Sequence, residues 1–126
     1  MKRSFLKAVV AIAVLTIAAS TLDSCQKPET PVYTDPAQTI EVRVGDEFII
    51  TLEYNSTTGH EWKEAHDRTF IRRIYSEFNQ GANPEAALMS YRYRALKAGT
   101  TQIDFVLQQP WETEPLTTVA FKVQVR

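Results

Sequence analysis

The stretch Phe48-Ile49-Ile50-Thr51-Leu52-Glu53-Tyr54 decides the fold class. Side chains alternate faces along an extended chain. Phe48, Ile50, Leu52 and Tyr54 therefore share one face, and Ile49, Thr51 and Glu53 the other. A helix would need apolar residues three and four apart instead. The alternation recurs in both directions. Upstream, Ile40, Val42 and Val44 alternate with Glu41 and Arg43, and Gly45-Asp46 marks a turn. Downstream come Glu61 to Ala65, Phe70 to Phe78, and Tyr91-Tyr93-Ala95 set against Arg92 and Arg94. A hairpin turn follows at Lys97-Ala98-Gly99-Thr100. Ile103, Phe105 and Leu107 then alternate with Gln102, Asp104 and Gln108, and Val119, Phe121, Val123 and Val125 close the chain. Seven such segments at roughly 8–12-residue spacing predict an all-β, immunoglobulin-like antiparallel β-sandwich of about seven to eight strands. Ala86 to Met89 has room for one turn of helix and no more, and no internal repeat is visible.

The sandwich occupies only part of the 126 residues. Residues 1–24 read as an export signal. Lys2, Arg3 and Lys7 form a basic start, and the apolar run Ala8 to Ala19 has the length of a signal core and is short for a membrane span. Leu22-Asp23-Ser24-Cys25 resembles the bacterial lipoprotein box, with Asp23 in a position usually small and apolar. That resemblance implies acylation of Cys25 and a place in a bacterial cell envelope, lipid-anchored on a periplasmic or surface face. Residues 25–37, with Pro28, Pro31 and Pro36, read as an extended tether. Residues 38–126 are the domain, enough for one core and too few for a two-domain enzyme with a cofactor fold.

Composition excludes several classes of function. The chain carries 14 Lys and Arg against 15 Asp and Glu. Removing Lys2, Arg3, Lys7 and Asp23 with the leader makes the mature chain more acidic still, so nucleic acid is not the expected partner. Four glycines leave little for a phosphate-cradling loop, and a single cysteine allows neither an intrachain disulfide nor a cysteine metal site. His60 and His66 lack a third ligand at metal spacing and read as surface or loop histidines. Glu61, Glu64, Glu112 and Glu114 could pair as carboxylates, as in any small domain. No serine sits in a strand-to-helix elbow. The sequon Asn55-Ser56-Thr57 is read as coincidence in a bacterial lipoprotein. Neither catalytic residues, nor a metal, nor a cofactor is expected.

The loops say more. In such a sandwich alternate connections emerge at one end, which groups Asn55 to His60, Asn79 to Ala87 and Gln109 to Leu116. These are the long connections, and long loops on a rigid scaffold are a binding surface. Trp62 is expected in the core, as on the third strand of related sandwiches. Trp111 follows Pro110 in a loop without strand pattern, the residue type that dominates interface energies.

Two of these loops also match a known pattern. Asn55-Ser56-Thr57-Thr58-Gly59-His60-Glu61-Trp62 resembles the N-P-T-T-G-[YF]-x-W signature of the chagasin family, protein inhibitors of papain-like cysteine proteases. Gln109-Pro110-Trp111-Glu112 resembles that family's later R-P-W-[ET] element, and Gly81-Ala82-Asn83-Pro84 stands where its Gly-rich middle loop belongs. Ser56 replaces the usual Pro, which predicts a less rigid first loop. His60 replaces an aromatic residue and Gln109 an Arg. The resemblance implies a monomeric three-loop wedge. Thr57 and Thr58 would enter the protease cleft near its catalytic Cys and His. The middle loop would lie on the non-primed side and Trp111 on the primed side. An interface on the order of 1,600 Å² is typical of protease–inhibitor pairs. The expected target is a host enzyme or the bacterium's own secreted protease, for instance one of the streptopain type. The competing expectation is a glycan-binding or adhesion module using Trp111 with Tyr91 and Tyr93.

Overall fold

Phe48, Ile50 and Leu52 are buried from successive inward positions of one strand, as their spacing requires. The computed structural model describes residues 29–126. The leader, Cys25 and the start of the tether lie outside the described residues. The strands are β1 (Val32–Tyr33), β2 (Ile40–Val42), β3 (Glu47–Tyr54), β4 (Glu61–His66), β5 (Ile71–Asn79), β6 (Ala87–Ala95), β7 (Gly99–Gln108) and β8 (Thr117–Val125). One 3-10 turn, Pro84–Ala86, interrupts them.

They form two four-stranded sheets, ordered β1-β3-β6-β5 and β2-β8-β7-β4. The sheets are mixed, which corrects the purely antiparallel expectation. β1 lies parallel to β3 and β2 parallel to β8, while the other pairs are antiparallel. The cause is the N-terminal path. The chain climbs along β3, turns where Gln38 N donates to Asp35 O (3.1 Å), and descends along β8 in the opposite sheet. A chain that changes sheets is free of the antiparallel constraint of a hairpin. β1 was not legible in the alternation because it falls within the proline-rich stretch read as tether. Ile49 N donates to Pro31 O at 2.9 Å, and Tyr33 packs against the core.

Three boundaries also differ from expectation. β2 stops at Val42, because Val44 N turns to Arg126 O (2.9 Å) and its side chain faces solvent. β6 begins at Ala87, paired with Tyr54, so the helical turn expected over Ala86 to Met89 is a strand start. The 3-10 turn sits just before it, where Asn83 Oδ1 accepts from Glu85 N at 2.9 Å and Pro84 has no N–H to lose.

The core joins the two inner faces through aromatic contacts around Phe105. Tyr91 meets it at 5.0 Å between ring centroids, Phe121 edge-on at 5.9 Å and Trp62 edge-on at 6.3 Å. Phe48 stacks on Tyr93 at 5.4 Å. Burying each such side chain is worth about 1.5–3 kcal/mol. Tyr91 and Tyr93 are thus core residues, and Trp62 is half-buried with Nε1 donating to Glu53 O at 2.9 Å.

Candidate functional site

The three long connections meet at one end, as the alternation rule requires. The first loop, 55–60, joins β3 to β4. The middle loop, 80–86, joins β5 to β6. The third, 109–116, joins β7 to β8. The first is bonded to both others. Ser56 N and Ser56 Oγ each donate to Pro84 O at 3.1 Å. On the other side, Gln109 Nε2 donates to Thr58 O at 2.8 Å.

The first loop also holds its own shape. Asn55 Oδ1 accepts from Thr57 N (3.0 Å) and Thr57 Oγ1 (2.6 Å), a turn that Asn forms with the backbone two residues on. Thr58 Oγ1 donates to Asn55 O at 3.2 Å. It also exchanges a hydrogen bond with His60 Nδ1 at 2.9 Å. Gly59 turns the chain at φ +81°, a region costly for side chains. The loop is therefore tied internally and laterally, and Ser56 supplies a lateral tie in place of the φ restriction a proline would give. A proline there would have no N–H to give Pro84.

The middle loop is shaped by Asn79 Oδ1 accepting from Gly81 N and by the Asn83 cap. Gly81 (φ +62°) and Ala82 are exposed at its tip. In the third loop, Glu112 N donates to Gln109 O at 3.1 Å, and Gln108 Nε2 reaches Glu112 O. Pro110 and Trp111 are exposed, Trp111 to 72%. Leu116, on the same loop, is 63% exposed and adds an apolar side chain that lies outside the strand pattern. Its signal in the sequence is an isolated leucine after Pro115 in a polar loop. His60, Trp111, Glu112 and Leu116 line a groove of about 530 Å³. His60 Nε2 lies 4.0 Å from Glu112, so first and third loops also meet through charge-capable groups.

The other ionisable candidates resolve differently. Glu64 is half-buried on β4 with 4% of its side chain exposed, and it accepts from Tyr93 Oη at 2.7 Å and bonds His66 Nδ1 at 2.8 Å, with Arg73 at 3.8 Å. His66 is consequently half-buried rather than a surface histidine. Glu64 lies in this network, away from Glu112 and Glu114. Among the described residues no three metal-ligating side chains converge.

The sequence and the fold both match known proteins. The profile described as "Chagasin family peptidase inhibitor I42" covers residues 41–125. The chain belongs to the chagasin family. Among solved structures, the cysteine protease inhibitor EhICP2 of Entamoeba histolytica is 24% identical, with a TM-score of 0.66. Amebosin is 19% identical, with a TM-score of 0.64. Each alignment covers 79% of this chain and all of the other. At these identities the likeness establishes the fold. No curated protein matches the chain. Against the chagasin signature, Ser56 and Gln109 differ in residue type and act as the bridges between loops.

Proposed function

We propose that this chagasin-family domain reversibly inhibits papain-like cysteine proteases by filling the active-site cleft with its three-loop end. The observation that carries the reading is the first loop, pinned to Pro84 on one side and Gln109 on the other. A cleft-entering loop held at both flanks pays little ordering entropy on binding. It also resists cleavage, because attack requires reacting atoms at about 3–3.5 Å in aligned geometry. Thr57 and Thr58 would stand before the catalytic Cys and His. Gly81, Ala82, Asn83 and Pro84 would lie along the non-primed side. Trp111, with Pro110 and Glu112, would pack on the primed side. The domain acts as a monomeric inhibitor rather than an enzyme, and needs no cofactor.

In the same reading, residues 1–24 are a lipoprotein signal, Cys25 carries the lipid, and the sandwich is displayed from a bacterial membrane. The target is then a host enzyme or the cell's own secreted protease. The glycan-binding alternative is weakened by Tyr91 and Tyr93, which are buried and offer no stacking surface. The test is titration against a panel of papain-like enzymes, including a streptopain-type protease. Absence of inhibition at micromolar concentration throughout removes the proposal.

A further inference from the structure

The chain enters the sandwich at the end opposite the three loops. Arg92 Nη2 donates to Thr30 Oγ1 at 2.9 Å and Ile49 N to Pro31 O at 2.9 Å, and β1 then runs along β3 toward the loops. The turns at that entry end are joined to one another. Gly45 N donates to Ala95 O, Leu96 N to Phe70 O and Val44 N to Arg126 O, each at 2.8 or 2.9 Å.

The two ends carry opposite charge. Residues 53–61, 77–89 and 107–117, which surround the loops, contain no lysine or arginine. They hold Glu53, Glu61, Glu77, Glu85, Glu112 and Glu114. The entry end exposes Arg43 on its first turn, Arg68, Arg72 and Arg73 about the second, and Arg94 and Lys97 about the third, with the terminal Arg126 beside them. Asp46, Glu47, Asp67 and the entering Glu29 stand against them. Glu47 is engaged by Arg92 and Arg94, and Glu41 by Arg126. Among the described residues Arg43, Arg68, Arg72 and Lys97 make no ion pair. Arg68, Arg72, Arg73 and His66 line a groove of about 380 Å³ there. Guanidinium groups in such a groove suit phosphate oxygens, which they bind in pairs.

We propose that this entry end lies against an anionic lipid surface, so that the anchored domain stands with its loops directed away from the membrane. The proposal rests on the lipid anchor at Cys25. Three residues, Gln26 to Pro28, separate Cys25 from Glu29, and a fully extended chain covers at most about 14 Å over those four steps. The anchor therefore keeps the basic end near the headgroups, while strands of eight to ten residues carry the loops about 30 Å beyond. The acidic loop end is repelled from the same surface. Lipid charge then sets the orientation that leaves the cleft-filling loops open to a soluble protease.

The acylated full chain tests this on vesicles of phosphatidylcholine with and without about 30% phosphatidylglycerol. With Cys25 acylated, a cysteine introduced as Thr69→Cys at the entry end, or Thr113→Cys among the loops, is the single reactive thiol for a fluorescent label. On anionic vesicles, iodide quenching at position 69 should fall about threefold below that at 113, and the difference should shrink on neutral vesicles or in 0.5 M salt. Arg68→Glu with Arg72→Glu should abolish it while protease inhibition in detergent is kept. Equal quenching at both positions on anionic vesicles overturns the proposal, with flotation on neutral vesicles leaving the anchor standing. Shielding of position 69 without vesicles, rising with protein concentration, assigns the face to a second copy and also overturns it. A chain that floats with neither vesicle refutes anchor and orientation together, while inhibition in solution reports separately on the loops.

Discussion

Ser56 places two donors on one acceptor: its backbone N–H and its hydroxyl both end on the carbonyl of Pro84, at 3.1 Å each. One residue thereby fixes the spacing between the loop proposed to enter the cleft and the loop beside it. The chagasin pattern has proline at this position, which restricts φ but cannot donate. Ser56→Pro should weaken inhibition about tenfold, the loss of roughly two modest exposed hydrogen bonds. Ser56→Ala keeps the backbone bond and should lose about threefold. Inhibition constants against one sensitive protease decide the matter. A Ser56→Pro variant that binds as tightly as the parent would mean that the bridge does not set loop spacing.

Trp111 tests the division between scaffold and contact. At 72% exposed it contributes little to the fold. Trp111→Ala should leave the melting temperature within the range of ordinary surface changes, about 0.5 kcal/mol. Inhibition should weaken about thirtyfold or more, since truncating an interface tryptophan costs about 2 kcal/mol or above. A parallel fall in stability would mean that the indole supports the loop rather than the complex.

The legibility of these features followed their physics. The strands of the domain were readable because burial on one face imposes a period of two, visible at Phe48-Ile50-Leu52 and Phe121-Val123-Val125. The grouping of the long loops followed from strand alternation alone. β1 escaped because two residues among prolines carry no period, and its pairing comes from main-chain groups of Pro31 and Ile49. The parallel edges escaped because alternation is blind to strand direction. At the site, residue types matched a motif, but the roles of Ser56 and Gln109 depend on residues 28 and 51 positions away, a separation that no local spacing encodes.

Two buried tyrosines make stability depend on alkaline pH. Burial pushes Tyr91 up to about 12, with the Glu64 charge adding to it. Burial, then its hydrogen bond to Glu64, pushes Tyr93 up as well. An unfolded tyrosine ionises near 10. Below that pH both states keep the proton, and the stabilising preference for the neutral ring is fully present. Above it the unfolded chain releases protons that the fold retains, so stability falls as pH rises through the folded values. The fall should reach at most about 1.4 kcal/mol per pH unit for each tyrosine. Denaturant midpoints between pH 8 and 12 measure it, and Tyr91→Phe should flatten the curve. Tyr93→Phe should flatten it too, but also cost about 1.5–3 kcal/mol at neutral pH through the lost bond to the Glu64 carboxylate. A stability profile that stays level to pH 12 would contradict the burial of both hydroxyls.

Two glycines separate inhibition from folding. Gly99, at φ +145°, begins β7 with no space beside it: an added Cβ would lie 2.6 Å from Phe70 Cε1. Gly99→Ala must displace a core-packing ring and should cost about 2–3 kcal/mol of stability, while the folded fraction inhibits normally. Gly59, at φ +81°, is the reverse case. Its added Cβ would meet Trp111 Cη2 at 3.6 Å and Gln109 Nε2 at 3.8 Å, ordinary contacts. The penalty of Gly59→Ala is then backbone strain, about 1 kcal/mol. Rotating the peptide before residue 59 to relieve that strain turns Thr58 O away from Gln109, breaking the bond that spaces the first loop from the third. Inhibition should therefore fall further than stability, by about tenfold or more, in titrations run beside thermal melts. Should Gly59→Ala lose stability and affinity in equal measure, the loop's shape would be set by the scaffold, and the bridges to Pro84 and Gln109 would be passengers.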